Sequence, residues 1–234
     1  MTDKGRIRFV VITIAVAAMI GIVALVIALW PGDTAQDQMI AEYRAAKHLQ
    51  YEQENAQYDD YEVEVAFIGD SITDAYDLEK HYPQYVTANR GIAGDTSYDL
   101  QARLQLSVYD LKPQVVVMLI GANNPTTVMN NYEDILKGYQ ENLPETKVVL
   151  LSMTSMGGSS WGRWNEKAKA NNVEMKKLAE EYGYTFVDVY TPLLDPAIDQ
   201  LREDYTFDGG HLTEEGYEVL TDTITPVLEG ILGK

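Results

Sequence analysis

The chain has 234 residues, 46% hydrophobic and 23% charged, with 18 basic against 36 acidic side chains for a net charge of −18. That length and balance suit one well-filled domain with an appendage, and the acidity repels polyanions, so no nucleic-acid partner is expected. The sequence contains no cysteine, which excludes disulfides, thiolate metal sites and a cysteine nucleophile.

Residues 1–8 hold Lys4, Arg6 and Arg8 and read as a cytoplasmic tail. Residues 9–30, Phe9 to Trp30, carry no charge and are rich in Val, Ile, Ala and Leu. As a helix rising ~1.5 Å per residue they would span ~33 Å, enough to cross a bilayer core. Basic residues before the span and acidic ones after it predict a cytoplasmic N-terminus and an extracytoplasmic remainder. A cleaved signal peptide would have a shorter core, ~7–15 residues, and a small-x-small cleavage site. Ala28-Leu29-Trp30-Pro31 offers no such site. The expectation is therefore an uncleaved single-pass transmembrane helix, a signal anchor in the cell membrane.

Residues 31–60 are rich in Gln, Glu, Asp and Ala and read as an acidic stalk. A helix is predicted over Thr34–Tyr51, capped by Asp33 or Thr34. Its apolar face is thin, which predicts a solvated helix. The alternative is that Met39, Ile40, Tyr43 and Leu49 pack on the domain or on a second stalk.

From Val63 short apolar runs alternate with longer amphipathic segments. Strands are predicted over 63–68, 85–89, 114–120, 147–152 and 185–189, and helices over 97–109, 132–142, 163–182 and 213–231. The runs 114–120 and 147–152 are apolar on both faces, as buried parallel strands are. Alternation of this kind predicts an α/β sheet covered on both sides, over residues 61–234.

In such a sheet ligands bind beyond the carboxyl ends of the strands. Gly69-Asp70-Ser71 follows the first strand, Gly91 to Thr96 the second and Gly121-Ala122-Asn123-Asn124 the third, while Asp208-Gly209-Gly210-His211 precedes the last helix. Ser71, His211 and Asp208 are the three groups of a serine esterase: nucleophile, base and orienter of the base. His48 lies in the stalk and His81 in a Tyr-rich polar segment, so His211 is the histidine in a catalytic context.

The four blocks resemble those of the SGNH, or GDSL-type, hydrolases. That family is marked by a Gly-Asp-Ser, a glycine, a Gly-x-Asn-Asp and an Asp-x-x-His, in this order. Here they are Gly69-Asp70-Ser71, Gly94, Gly121-Ala122-Asn123-Asn124 and Asp208-Gly209-Gly210-His211, and the resemblance runs from about Val65 to Gly230. The Gly-x-Asn-Asn form is similar to the platelet-activating-factor acetylhydrolase-like branch; it keeps Asn123 and alters only its neighbour, Asn124.

The resemblance implies a three-layer α/β/α sandwich around a parallel sheet of about five strands, flavodoxin-like in arrangement, and a serine esterase that needs no cofactor. It implies Ser71 as nucleophile, His211 as base and Asp208 as its orienter. The backbone N–H groups of Ser71 and Gly94 and the side chain of Asn123 would form the oxyanion hole. Glycine at 94 is expected because a side chain there would obstruct close backbone approach. Asn165 and Asn172 resemble asparagines that recur in this helix of the family and read as structural.

Substrate contact is expected from Asp70 and Asn124, and from Trp161 and Trp164, which follow the fourth strand and would stack on a sugar or border an acyl pocket unless they only pack the next helix. Tyr76 and Asp77 are further candidates for the border of the site. No metal-ligand spacing occurs, and no metal is expected. The leading expectation is a membrane-anchored extracytoplasmic esterase acting on a short-chain ester, such as acetyl, of a carbohydrate or lipid. An O-acyltransferase using the same acyl-enzyme and a non-catalytic glycan-binding module on a stalk are the alternatives.

Overall fold

A computed structural model of the chain describes residues 35–234. The predicted membrane span, 9–30, lies outside the described residues. Among the described residues no helix is long and apolar enough to cross a membrane.

The principal sheet has five strands: β1 (Val65–Gly69), β2 (Thr87–Gly91), β3 (Val115–Leu119), β4 (Lys147–Leu151) and β5 (Thr185–Val187). All pairs are parallel and the order is β2-β1-β3-β4-β5. The helices that matter for the site are α1 (Ala35–Asn55), α2 (Ser71–Asp74), α3 (Ser97–Ala102), α4 (Met129–Asn142), α5 (Asn165–Tyr182) and α6 (Glu214–Leu232).

Side chains alternate between the two faces of a strand, and here both faces are buried. Ala66, Ile68, Val116, Met118, Val148 and Leu150 join Leu100 of α3, Ile135 of α4 and Met175 of α5 in one core. Val65, Phe67, Val115, Val117, Val149 and Leu151 join Leu220, Ile224 and Leu228 of α6 in the other. The result is the three-layer α/β/α sandwich around a parallel five-stranded sheet. Gly69 pairs in register with Gly91 of β2 and Leu119 of β3, so the turns after these three strands emerge side by side.

Some boundaries differ from the sequence expectation. β2 runs from Thr87 to Gly91 rather than over 85–89, because Arg90 is fully buried instead of solvated. The 97–109 helix is split into α3 and a π-helical turn, Gln105–Tyr109. A small antiparallel hairpin, Leu194–Asp195 with Gln200–Leu201, was not foreseen; its strands are too short to carry a periodicity.

The chain divides into two compact units, residues 1–46 and 47–234. In the first, Met39, Ile40 and Tyr43 of α1 are exposed. The second begins inside α1, so residues 47–60, assigned from the sequence to the stalk, group with the sheet. Tyr51 is fully buried and its hydroxyl donates to the Gly91 carbonyl at 2.6 Å. Arg90 donates to the Glu54 carboxylate and, at 3.0 Å, to Asn55 Oδ1, and its guanidinium lies over the Tyr51 ring. Asn55 Nδ2 donates to the Leu106 carbonyl at 2.7 Å. These contacts are mostly polar, so no apolar stripe on α1 marks them in the sequence. Leu49, by contrast, stays exposed.

Candidate active site

Ser71 opens α2, directly beyond the end of β1. The bend is tight: a Cβ on Gly69 would lie 2.2 Å from both the Leu119 carbonyl oxygen and Thr73 Oγ1, so only glycine fits. Asp70 caps α2, its Oδ1 accepting the Ile72 N–H at 3.1 Å. On the far side Tyr217 of α6 donates to the Ile72 carbonyl at 2.8 Å and stacks on Tyr76.

Asp208 and His211 share one loop. Asp208 Oδ1 accepts the N–H groups of Gly210 (2.9 Å) and His211 (2.8 Å), while Oδ2 lies 2.8 Å from His211 Nδ1. His211 Nε2 lies 3.0 Å from Ser71 Oγ. Thr206 Oγ1 donates to the His211 carbonyl at 2.6 Å and accepts the Gly209 N–H at 2.8 Å, which closes the loop. Hydroxyl, imidazole and carboxylate thus form one continuous hydrogen-bonded chain, the arrangement able to draw a proton from a serine. Partial burial pushes the Asp208 carboxyl up, but the His211 backbone and ring and the Gly210 N–H outweigh it and hold the group at about 2.

Asn123 Nδ2 donates to the Asp95 carbonyl at 3.0 Å, one residue beyond Gly94. Gly94 is required by its backbone conformation. A Cβ there would meet nothing within 4 Å, but φ is +82°, a left-handed conformation that favours glycine. Asn124 accepts the Ser97 N–H and donates to Ser97 Oγ (2.9 Å) and Thr127 Oγ1 (3.2 Å), bracing α3. The turn before α3 is itself fixed by a capping box between Thr96 and Asp99.

Asp70 is 1% exposed. Burial pushes its carboxyl up to about 7, the Asp95 carboxylate adding to this, against the Ile72 N–H bond and the nearby His211. Asp70 therefore stands behind Ser71 as a buried cap. Trp161 stands edge-on to the His211 ring, with centroids 6.1 Å apart, and a Cβ on Gly210 would come within 2.7 Å of the indole. Trp161 and Trp164 both pack against the core, and Arg163 lies over the Trp164 ring. Tyr76 is buried, bonded to Thr221 and Tyr82, and Asp77 caps the short helix after it. Asn165 clamps the backbone N–H and carbonyl of Met156, and Asn172 those of Met153.

The sequence profile of the GDSL-like lipase/acylhydrolase family matches residues 67–219, well over half of the chain, from β1 to α6. The chain belongs to this family. As a GDSL-like acylhydrolase it is an esterase-type enzyme. A Streptococcus pneumoniae protein provisionally identified as a platelet activating factor is 27% identical, with a TM-score of 0.74, over 82% of this chain and 96% of that one. A GDSL-like lipase from Bacteroides thetaiotaomicron is 26% identical, with a TM-score of 0.70, over 78% and 97%. An acetyl-xylooligosaccharide esterase from Geobacillus shares the fold at 22% identity and a TM-score of 0.60, over 72% and 95%. No curated protein sequence matches the chain.

One residue of this GDSL hydrolase escaped the sequence reading. Arg103 is 5% exposed. Its Nε donates to Asp95 Oδ2 at 2.7 Å, Nη2 to the Gly69 carbonyl at 2.9 Å, and Nη1 to the Arg90 carbonyl (2.9 Å) and Ser107 Oγ (2.8 Å). One guanidinium ties the turn before Ser71 to the turn after Gly94. The available signal was an arginine among the apolar positions of the segment after the glycine block.

Proposed function

We propose that the chain is a membrane-anchored, extracytoplasmic serine esterase that removes a short acyl group, acetyl foremost, from a carbohydrate or lipid alcohol. The observation that carries this reading is the 3.0 Å approach of His211 Nε2 to Ser71 Oγ, with Nδ1 held 2.8 Å from Asp208. In this mechanism His211 takes the Ser71 proton as Oγ bonds to the acyl carbon. The oxyanion meets the N–H groups of Ser71 and Gly94 and the Asn123 amide. The bond from the acyl carbon to the alcohol oxygen then breaks, and His211 returns the proton to that oxygen. Water repeats the sequence on the acyl-enzyme and regenerates Ser71.

An Asp208 carboxyl held at about 2 supports its part, since it stays ionised at neutral pH and keeps the proton of the resting imidazole on Nδ1. The uncharged run over residues 9–30 supports the anchor and the extracytoplasmic side.

The test is Ser71→Ala in the full-length chain, assayed on acetyl to octanoyl esters. The reading predicts loss of turnover in the variant and a preference for the shortest acyl groups in the parent. Full esterase activity in Ser71→Ala would overturn the mechanism. Release of the protein from membranes by salt alone, without detergent, would overturn the anchor.

A further inference from the structure

A groove of about 310 Å³ adjoins the loop that carries Asp208 and His211. That is the lower end of the ~300–1,000 Å³ typical of small-molecule sites. Phe207, immediately before Asp208, lines it together with Ile198. Phe207 is 75% exposed and Ile198 54%. Single exposed apolar side chains are ordinary, but two in one groove beside a reactive loop form a surface that a ligand can cover.

The rest of the lining combines Leu201 and three glycines with the polar side chains of Gln200, Glu203 and Thr206. Gln200 Oε1 accepts the Gly158 N–H at 2.9 Å, which fixes the amide, while its NH2 group has no partner among the described residues. Glu203 also lines the groove, and its carboxylate has no hydrogen-bond or ion-pair partner among the described residues. A lipid chain would cover Phe207 and Ile198 but would strip water from Glu203 without replacing its hydrogen bonds. A simple cation would pair with Glu203 and leave the ring unused. A sugar ring uses both, with its C–H face on Phe207 and its hydroxyls donating to Glu203 and accepting from Gln200.

Position identifies which part of the substrate this would be. His211 returns its proton to the alcohol oxygen, so the alcohol departs on the histidine side. The groove is built on the histidine's own loop, where Gly157 N–H donates to the Gly209 carbonyl at 2.7 Å and Thr206 holds both Gly209 and His211. We propose that this groove is the subsite for the sugar ring of the leaving alcohol, which makes the substrate an acylated glycan. The inference rests on the serine-esterase reading above.

The experiment compares kcat/KM for mono-O-acetylated glucose, xylose and N-acetylglucosamine with kcat/KM for ethyl acetate, in the full-length chain and in Phe207→Ala and Glu203→Gln. The parent should favour at least one sugar ester over ethyl acetate. The ratio for that sugar should fall about tenfold in each variant, chiefly through KM, as expected for one lost subsite contact. Glu203→Gln keeps the volume of an exposed side chain, so its result does not depend on folding. An unchanged ratio in both variants, or a parent that favours ethyl acetate over all three sugars, overturns the subsite. Ser71-dependent hydrolysis of ethyl acetate with such a result would leave the esterase reading standing. Hydrolysis of none of the four esters would remove both.

Discussion

Arg103 and Asp95 form an ion pair at 2.7 Å with both side chains almost wholly sealed from water. Removing one partner of a buried pair leaves an uncompensated charge, which costs about 3–5 kcal/mol. Arg103→Met is expected to lose stability in that range, read by urea unfolding of the full-length chain. Arg103→Lys should fall between, because one ammonium cannot reach Asp95, Gly69 and Arg90 in the planar fork that guanidinium supplies. Stability equal to the parent in Arg103→Met would show that the pair has no structural weight.

The proposed mechanism separates Asp208 from Asn123 in magnitude. Asp208→Asn would keep the loop's shape but favour the wrong imidazole tautomer, and kcat is expected to drop by roughly 10⁴. Asn123→Ala removes one oxyanion donor and is expected to lower kcat by about 10²–10³. KM should move little in both. If the two variants lost kcat equally, the division of roles between them would be wrong.

Asp70 predicts a pH dependence of stability. Its carboxyl is pushed up to about 7 by burial and by Asp95, from an ordinary 3.8. The folded state therefore holds this proton more tightly than the unfolded chain between those values, and stability from this group falls as pH rises from about 4 to 7. Asp70→Asn mimics the protonated form and still caps α2. It should match the parent near pH 4 and exceed it at pH 8 by up to about 4 kcal/mol, on the scale of ~1.4 kcal/mol per pKa unit. Parallel stability curves for the two proteins across this range would contradict the assignment.

The second half of α1 predicts where the enzyme can be shortened. A chain of residues 47–234 keeps Tyr51, Glu54 and Asn55 against Arg90 and Gly91, whereas a chain of residues 61–234 loses all three. The latter leaves a buried guanidinium without its carboxylate, and Arg90 Nε is already without a partner. The shorter piece should unfold at markedly lower urea than the longer one, by circular dichroism. Equal midpoints would mean that α1 is dispensable to the sheet.

Much of the fold was legible because its cores obey short periods. The runs at 114–120 and 147–152 read as apolar on both faces, as buried parallel strands do, and residues 115–119 and 148–151 are buried. The four turns of the site were legible because each ends or precedes an apolar run. Arg90, Arg103 and Glu54 were not, because a charged residue in sequence reads as solvated unless its partner is known, and these partners come from distant segments. Phe207 was hidden for the opposite reason: an aromatic residue reads as core, and this one is exposed. Gly94 was recognised, but the conformational reason for it is visible only in its φ angle.

Asp208 and His211 stand three residues apart, while Ser71 and His211 are separated by 140. The imidazole and its carboxylate partner can therefore meet within a local turn, at small loop-closure cost, before any tertiary structure exists. Only one contact of this hydrogen-bonded chain, that of His211 with Ser71, requires the two ends of the sheet domain to find each other. Recovery of turnover during refolding is thus a gauge of long-range closure, and it should lag the recovery of helical signal. An esterase of this layout reports its own complete folding.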